Sequence, residues 1–184
     1  MQAEKIRRLA AMGLLTALAA ALNFAENMIP ALPMAPPGVK LGLSNIVVAY
    51  CLFYLGGREA LCIALLKSGF VLLTRGMTAG AMSLAGGLLS LAVMLAARRL
   101  TKPGRMRYFY VSVPGAMAHN LGQLAVAAVL LGNAAVFYSL PLLLIAGALM
   151  GCVTAVLLRA VLPALGRVAG TVGYSDERHS GKDD

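Results

Sequence analysis

The 184-residue chain contains no tryptophan, three cysteines, two histidines and only seven acidic residues. Each shortage removes a class of chemistry. Aspartate occurs only at Asp176, Asp183 and Asp184, all in the C-terminal tail. Paired aspartates that could hold magnesium and diphosphate are therefore missing from the rest of the chain. There is no P-loop, no GxSxG and no HExxH, so no catalytic residue is assigned. Cys51, Cys62 and Cys152 lie inside apolar runs without a CxxC spacing and read as small buried hydrophobes. Two histidines are too few for an ordinary zinc site. Neither a metal nor a cofactor is expected.

Charge is also scarce, at 12% of residues, while 60% are hydrophobic and the mean hydropathy is +0.81. A soluble domain of this length could not hide so much apolar side chain, whereas a helical membrane protein is solvated by lipid. The net charge of +9 does not indicate nucleic acid, because the basic residues form short clusters between apolar stretches. That is the pattern of cytoplasmic loops. The first apolar run is followed by five more, which argues against a cleaved signal peptide.

Breaks at charges and at Pro/Gly clusters divide the chain into about six segments, an all-α transmembrane bundle forming one domain over 1–167. A spanning helix needs roughly 20 residues. Segment one covers about Leu9 to Ile29 and is followed by a Pro-rich stretch ending at Lys40. Segments two, about Leu41 to Leu55, and three, about Ala60 to Thr74, are short. Segment four runs from Thr78 to Ala97, before a loop with Arg98, Arg99, Lys102, Arg105 and Arg107. Segments five and six fill Tyr108 to Leu158, with a turn expected at Gly132-Asn133. The polar tail over 168–184 is expected to be disordered and cytoplasmic. With the N-terminus inside, thirteen Lys and Arg fall on the cytoplasmic side, only Lys40 and Arg75 fall outside, and Lys67 lies within segment three. Both termini are therefore placed on the cytoplasmic side of the cell membrane.

Polar groups inside the segments are expensive in lipid and tend to face a cavity or one another. Glu26 and Asn27 close segment one, Asn45 opens segment two, and Lys67 and Arg75 belong to segment three. His119, Asn120 and Gln123 share one side of segment five. These residues, with Lys40, are the candidate substrate-binding set. They suggest one outward-opening cavity beneath the Pro30–Pro37 loop, suited to an anion because three cations face one glutamate. The competing reading of the same residues is structural, with Glu26 pairing Lys67 or Arg75 and the amides bonding between helices.

Small residues at four-residue spacing let helices approach closely in lipid. Segment six has Gly147 and Gly151, and segment four has Ser83, Gly87, Gly86 and Ser90. Segment one has Gly13, Ala17, Ala21 and Ala25, a smooth stripe that either packs internally or docks a partner.

Three stretches are distinctive as a set: Pro37-Gly-Val-Lys-Leu-Gly-Leu-Ser-Asn-Ile46, Leu84-Ala-Gly-Gly-Leu-Leu-Ser90 and Ala118-His-Asn-Leu-Gly-Gln123. In this order the chain resembles, from about Leu9 to Leu158, the family labelled Gx transporter or heptaprenyl diphosphate synthase component I. Its architecture resembles the S components of energy-coupling-factor transporters. That resemblance implies a substrate-binding subunit. Its stripe at Ala17 and Ala21, extended to Gly13 and Ala25, would contact a transmembrane coupling subunit driven by an ATPase pair. The lack of tryptophan departs from the aromatic stacking common in vitamin-binding members. An alternative is a membrane accessory protein of isoprenoid, quinone or flavin-linked redox metabolism. A third is a membrane enzyme acting on a diphosphate.

Overall fold

The computed structural model describes residues 2–28, 40, 42–104 and 106–168, with side-chain surroundings from 5 to 160. The Pro30–Pro37 loop and the tail beyond 168 lie outside the described residues. The described chain is helical, without a strand: α1 (Gln2–Met28), α2 (Asn45–Tyr54), α3 (Gly57–Leu100), α4 (Arg107–Leu131), a 3-10 turn (Ala134–Ser139) and α5 (Leu140–Val168). Four of these stretches, counted as continuous helix and including α1, are long and apolar enough to cross a membrane.

The longest of them is not one rod. Gly76 sits in α3 with φ +85° and ψ 179°, a conformation open to glycine but not to side-chain-bearing residues. The chain reverses there. Ser68 Oγ and Ser83 Oγ lie 3.3 Å apart across the turn. A methyl group on Gly80 would stand 2.8 Å from Cβ of Leu72, Gly87 faces Ala64, and Gly57 faces Leu95. The pairs 57/95, 64/87, 68/83 and 72/80 describe two antiparallel arms, 57–75 and 77–100, packed along their length. The separate segments three and four expected from sequence correspond to these arms.

The next elements continue the alternation. Gly86 abuts His119 and Gln123, and Gly115 abuts Met94, so α4 runs antiparallel to the second arm. Gly147 abuts Ala116 and Gly151 abuts Val113, so α5 runs antiparallel to α4. The turn between them uses Gly132 at φ +59° and the Asn133 side chain, which accepts from Ala135 N, as the Gly-Asn pair suggests. α5 runs ten residues past the expected end of segment six.

One end of the bundle gathers the basic residues. Arg98 donates to the carbonyl of Leu52 at 2.7 Å, Arg107 donates to that of Arg98, and Arg8 lies 3.9 Å from Glu59. Lys40 and Arg75 belong to the opposite end. Two apolar clusters fill the interior. The larger joins Leu15, Val47, Leu52, Ile63, Met94, Val111 and Leu158 near the basic end. The smaller joins Met82, Leu124, Ala127 and Leu143. Outward faces carry leucine, isoleucine and valine, as lipid contact requires: Leu73 is 87% exposed and Val129 80%.

α2 departs most from expectation. Its ten residues span about 15 Å, half the hydrocarbon thickness of about 30 Å. Segment two was expected to start at Leu41. Instead the backbone stays non-helical at Lys40 and Gly42, and Gly42 reaches the middle of α4. Non-helical backbone at that depth is stable only when protein groups satisfy it. Here the Asn45 and Ile46 amides donate to Gly42 and Leu43 carbonyls at 2.8 and 3.1 Å, turning the chain into α2.

Candidate functional site

The layer between the two apolar clusters is polar. Helices contribute to it at a four-residue stride, which keeps side chains on one face. α1 supplies Glu26 and, one turn earlier, Asn23. The first arm of α3 supplies Lys67, Val71 and Arg75, the second Ala79 and Ser83, and α4 His119 and Gln123. The α1–α2 connection adds Lys40, Gly42 and Ser44. Together they line a cavity with about 300 Å³ of non-atom space, its open mouth included.

Hydrogen bonds fix the connection against two helices. Gly42 N donates to Glu26 Oε1 at 2.5 Å, and Lys40 N donates to Gln123 Oε1 at 3.0 Å. The Lys40 ammonium donates to Asn27 Oδ1. The Gln123 amide orientation follows: its Nε2 faces His119 Nε2 at 2.8 Å, so that nitrogen accepts and the ring proton sits on Nδ1. Gly42 adopts φ +84°, and a methyl group there would stand 2.9 Å from His119 Cδ2. Loop and ring thus form one wall.

The charges are unbalanced. Lys67, 2% exposed, feels the attraction of Glu26 but makes no hydrogen bond among the described residues. Lys40 lies near a second cation, Arg75, and near the Glu26 carboxylate. Three cations share one carboxylate, which is itself engaged by the Gly42 amide.

Of the residues singled out in the sequence, Glu26, Lys40, Lys67, Arg75, His119 and Gln123 meet at this cavity. Asn27 touches it through Lys40. Asn45 and Asn120 point elsewhere. Asn45 Nδ2 donates to Ser90 Oγ at 2.8 Å, and Asn120 Nδ2 donates to the Leu143 carbonyl of α5 at 2.7 Å. One residue of rotation, about 100° around the helix, separates Asn120 from His119. Asn23 and Ser83 also line the cavity and were not in the sequence-derived set. The three-residue spacing of Asn23 from Glu26 is the signal that could have found the first.

The Gly13, Ala17, Ala21 and Ala25 stripe is exposed along its whole length, while Leu15, Ala19, Asn23 and Glu26 turn inward. Nothing lies within 4 Å of a methyl group built on Gly13. Among the described residues the stripe does not serve internal packing.

Residues 15–161 match the family model described as heptaprenyl diphosphate synthase component I. The chain belongs to the heptaprenyl diphosphate synthase component I family. Among solved structures, this family member is similar to the S component of a bacterial ECF transporter. The TM-score is 0.53 at 18% identity, covering 90% of this chain and 96% of the other. At that identity the likeness concerns the fold. No curated protein matches.

Proposed function

We propose that this family member is the membrane-embedded substrate-binding subunit of an uptake system, that it takes a small anion, and that a separate ATPase module drives it. The observation carrying this reading is the cavity with three cations, Lys40, Lys67 and Arg75, and the single carboxylate of Glu26. An unanswered cation in a dry site is costly, and an anionic guest supplies the answer. The S-component-like fold favours binding and transport over prenyl synthesis, for which the aspartate pairs are missing. Six crossings are proposed, with α2 and its connection forming a short second one.

The exposed stripe of Gly13, Ala17, Ala21 and Ala25 is the proposed contact with a transmembrane coupling subunit. A tagged wild-type chain is expected to co-purify with a second membrane subunit and an ATPase pair. It should also release a small anion identifiable by mass spectrometry. Ala17→Leu should remove the partners while the isolated protein keeps its melting temperature, because bulk on this face blocks only an approaching helix. Retention of all partners by Ala17→Leu would place the contact elsewhere, and a neutral or cationic guest would sink the anion assignment.

Both termini and the Arg98–Arg107 loop are proposed to be cytoplasmic, on the strength of the basic residues gathered at one end of the bundle. In a chain whose three cysteines are serine, Lys102→Cys should react with an impermeant maleimide only from the cytoplasmic side. Labelling only from outside would invert the topology.

A further inference from the structure

The cationic cavity also limits what can occupy it. Water-sized spheres can be centred in only about 20 Å³ of it, the rest of its non-atom space being open mouth and gaps too narrow for water. By that measure one water needs about 10–15 Å³, so one or two waters fit, and two take up roughly 60 Å³ of liquid. That is the size of a single oxyanion. The lining agrees. Among the described residues Val71 and Ala79 are its only apolar side chains, and no phenylalanine or tyrosine reaches it. A ring system or a prenyl chain would find no apolar surface there to bury against.

The polar lining divides into acceptors and donors. α1 presents the acceptors. Asn23 is 6% exposed and its Oδ1 is buried without a hydrogen-bond partner. Glu26 accepts from Gly42 N and keeps further lone pairs. Lys67 and Arg75 on the first arm of α3, with Lys40, can only donate. His119 and Gln123 are committed elsewhere: they bond to each other, Gln123 accepts from Lys40 N, and the His119 ring bonds to the Gly86 backbone. The guest therefore meets donors from α3 and acceptors from α1. A halide or sulfate answers the cations but brings no proton to α1. A zwitterion such as glycine serves both, yet leaves the surplus of three cations over one carboxylate as it was. An oxyanion that keeps a hydroxyl does both. Its bare oxygens accept from Lys67 and from the Arg75 guanidinium, whose planar fork matches two oxygens at once, and its O–H donates to Asn23 or Glu26. On the reading that this cavity takes an anion, we infer that the guest is a free oxyanion of the size and protonation of hydrogen phosphate, with no organic body attached.

Calorimetric titration of the ligand-free full chain in nonionic detergent, near neutral pH and in a buffer free of both ions, tests this with inorganic phosphate and sulfate. The two ions match in shape and nearly in size, but phosphate keeps at least one hydroxyl and sulfate none. Phosphate is expected to bind at least tenfold more tightly than sulfate, phenyl phosphate, butyl phosphate or glycine. Glu26→Gln keeps an acceptor for Gly42 and adds an N–H donor, so it should narrow the preference for phosphate over sulfate at least fivefold. Asn23→Ala, which only removes an acceptor, should narrow it as well. Lys67→Met should weaken both ions together. Equal binding of phosphate and sulfate, or a preference unchanged in both Glu26→Gln and Asn23→Ala, would overturn the hydroxyl assignment and leave the anion reading standing. Phenyl or butyl phosphate binding as tightly as phosphate would overturn the size limit, making the oxyanion the head of a larger guest, and would also leave that reading standing. Tighter binding of glycine than of phosphate, or no binding of any of these anions, would overturn both.

Discussion

Gly151→Val is expected to lower the melting temperature of the purified protein by roughly 5–10 °C. Gly151 on α5 lies against α4 so closely that a methyl group there would stand 2.5 Å from the Cα of Val113 and 2.9 Å from the Ser112 carbonyl oxygen. These are backbone atoms and cannot rotate away. The two helices must separate, and the loss spreads along them. At Gly147 an added methyl would stand only 3.1 Å from the Ala116 oxygen, and Asn120 is bonded to the Leu143 carbonyl further along. Overpacking, backbone shifts included, generally costs about 1–3 kcal/mol and occasionally more. For a chain of this size each kcal/mol shifts the midpoint by roughly 2–4 °C. Gly13→Val is the matched control, since a methyl there meets nothing within 4 Å. Thermal unfolding followed by size exclusion would decide between them. A Gly151→Val protein melting within about 2 °C of wild type would show that the α4–α5 contact is looser than described.

Lys67→Met separates binding from stability. Removing a buried charge that answers a ligand costs about 2–5 kcal/mol of affinity, or about 30-fold and upward. Calorimetry with the co-purified anion is therefore expected to show at least that loss, and a smaller one for half-exposed Lys40→Met. The ligand-free protein should not melt lower. Lys67 makes no hydrogen bond among the described residues and its ammonium is desolvated, so methionine relieves a penalty while keeping most of the volume. Equal binding by wild type and Lys67→Met would remove Lys67 from the site. A collapse of ligand-free stability would show that its attraction to Glu26 holds the bundle together.

The legible parts of this protein were those written in local spacing. Lys67 and Arg75 both reach the cavity, with Val71 between them, through two four-residue steps that each turn the helix by only about 40°. His119 and Gln123 do so through one such step. Gly147 and Gly151 marked a helix contact for the same reason. Asn120 was misplaced relative to its neighbours because i, i+1 positions diverge by a quarter turn or more, and only the position of α5 decides what each meets. Asn45 was grouped with the others because a full-length second helix would have started near the outer surface. Its true depth depends on the connection descending to Gly42, held by Glu26 and Gln123 from two other helices. Nothing in the local sequence encodes those long-range bonds. The wall that His119 and Gly42 form was hidden likewise, since it depends on one histidine ring packing against one glycine from another part of the chain.

The reversal at Gly76 bears on how the chain enters the bilayer. On biological insertion scales, a lysine at the centre of a lone helix costs roughly 2.5–3.5 kcal/mol. The arm carrying Lys67 is also only 57–75 in length. Because the two arms are joined directly and pair from Ser68 and Ser83 outward, the charge-free stretch 78–97 can be inserted with it as a hairpin. The lysine then passes from the translocation machinery to a helix–helix seam without facing acyl chains on its own. A glycine that looks like a mere kink in the finished molecule is thus what lets the lysine-bearing arm fold back onto a charge-free partner.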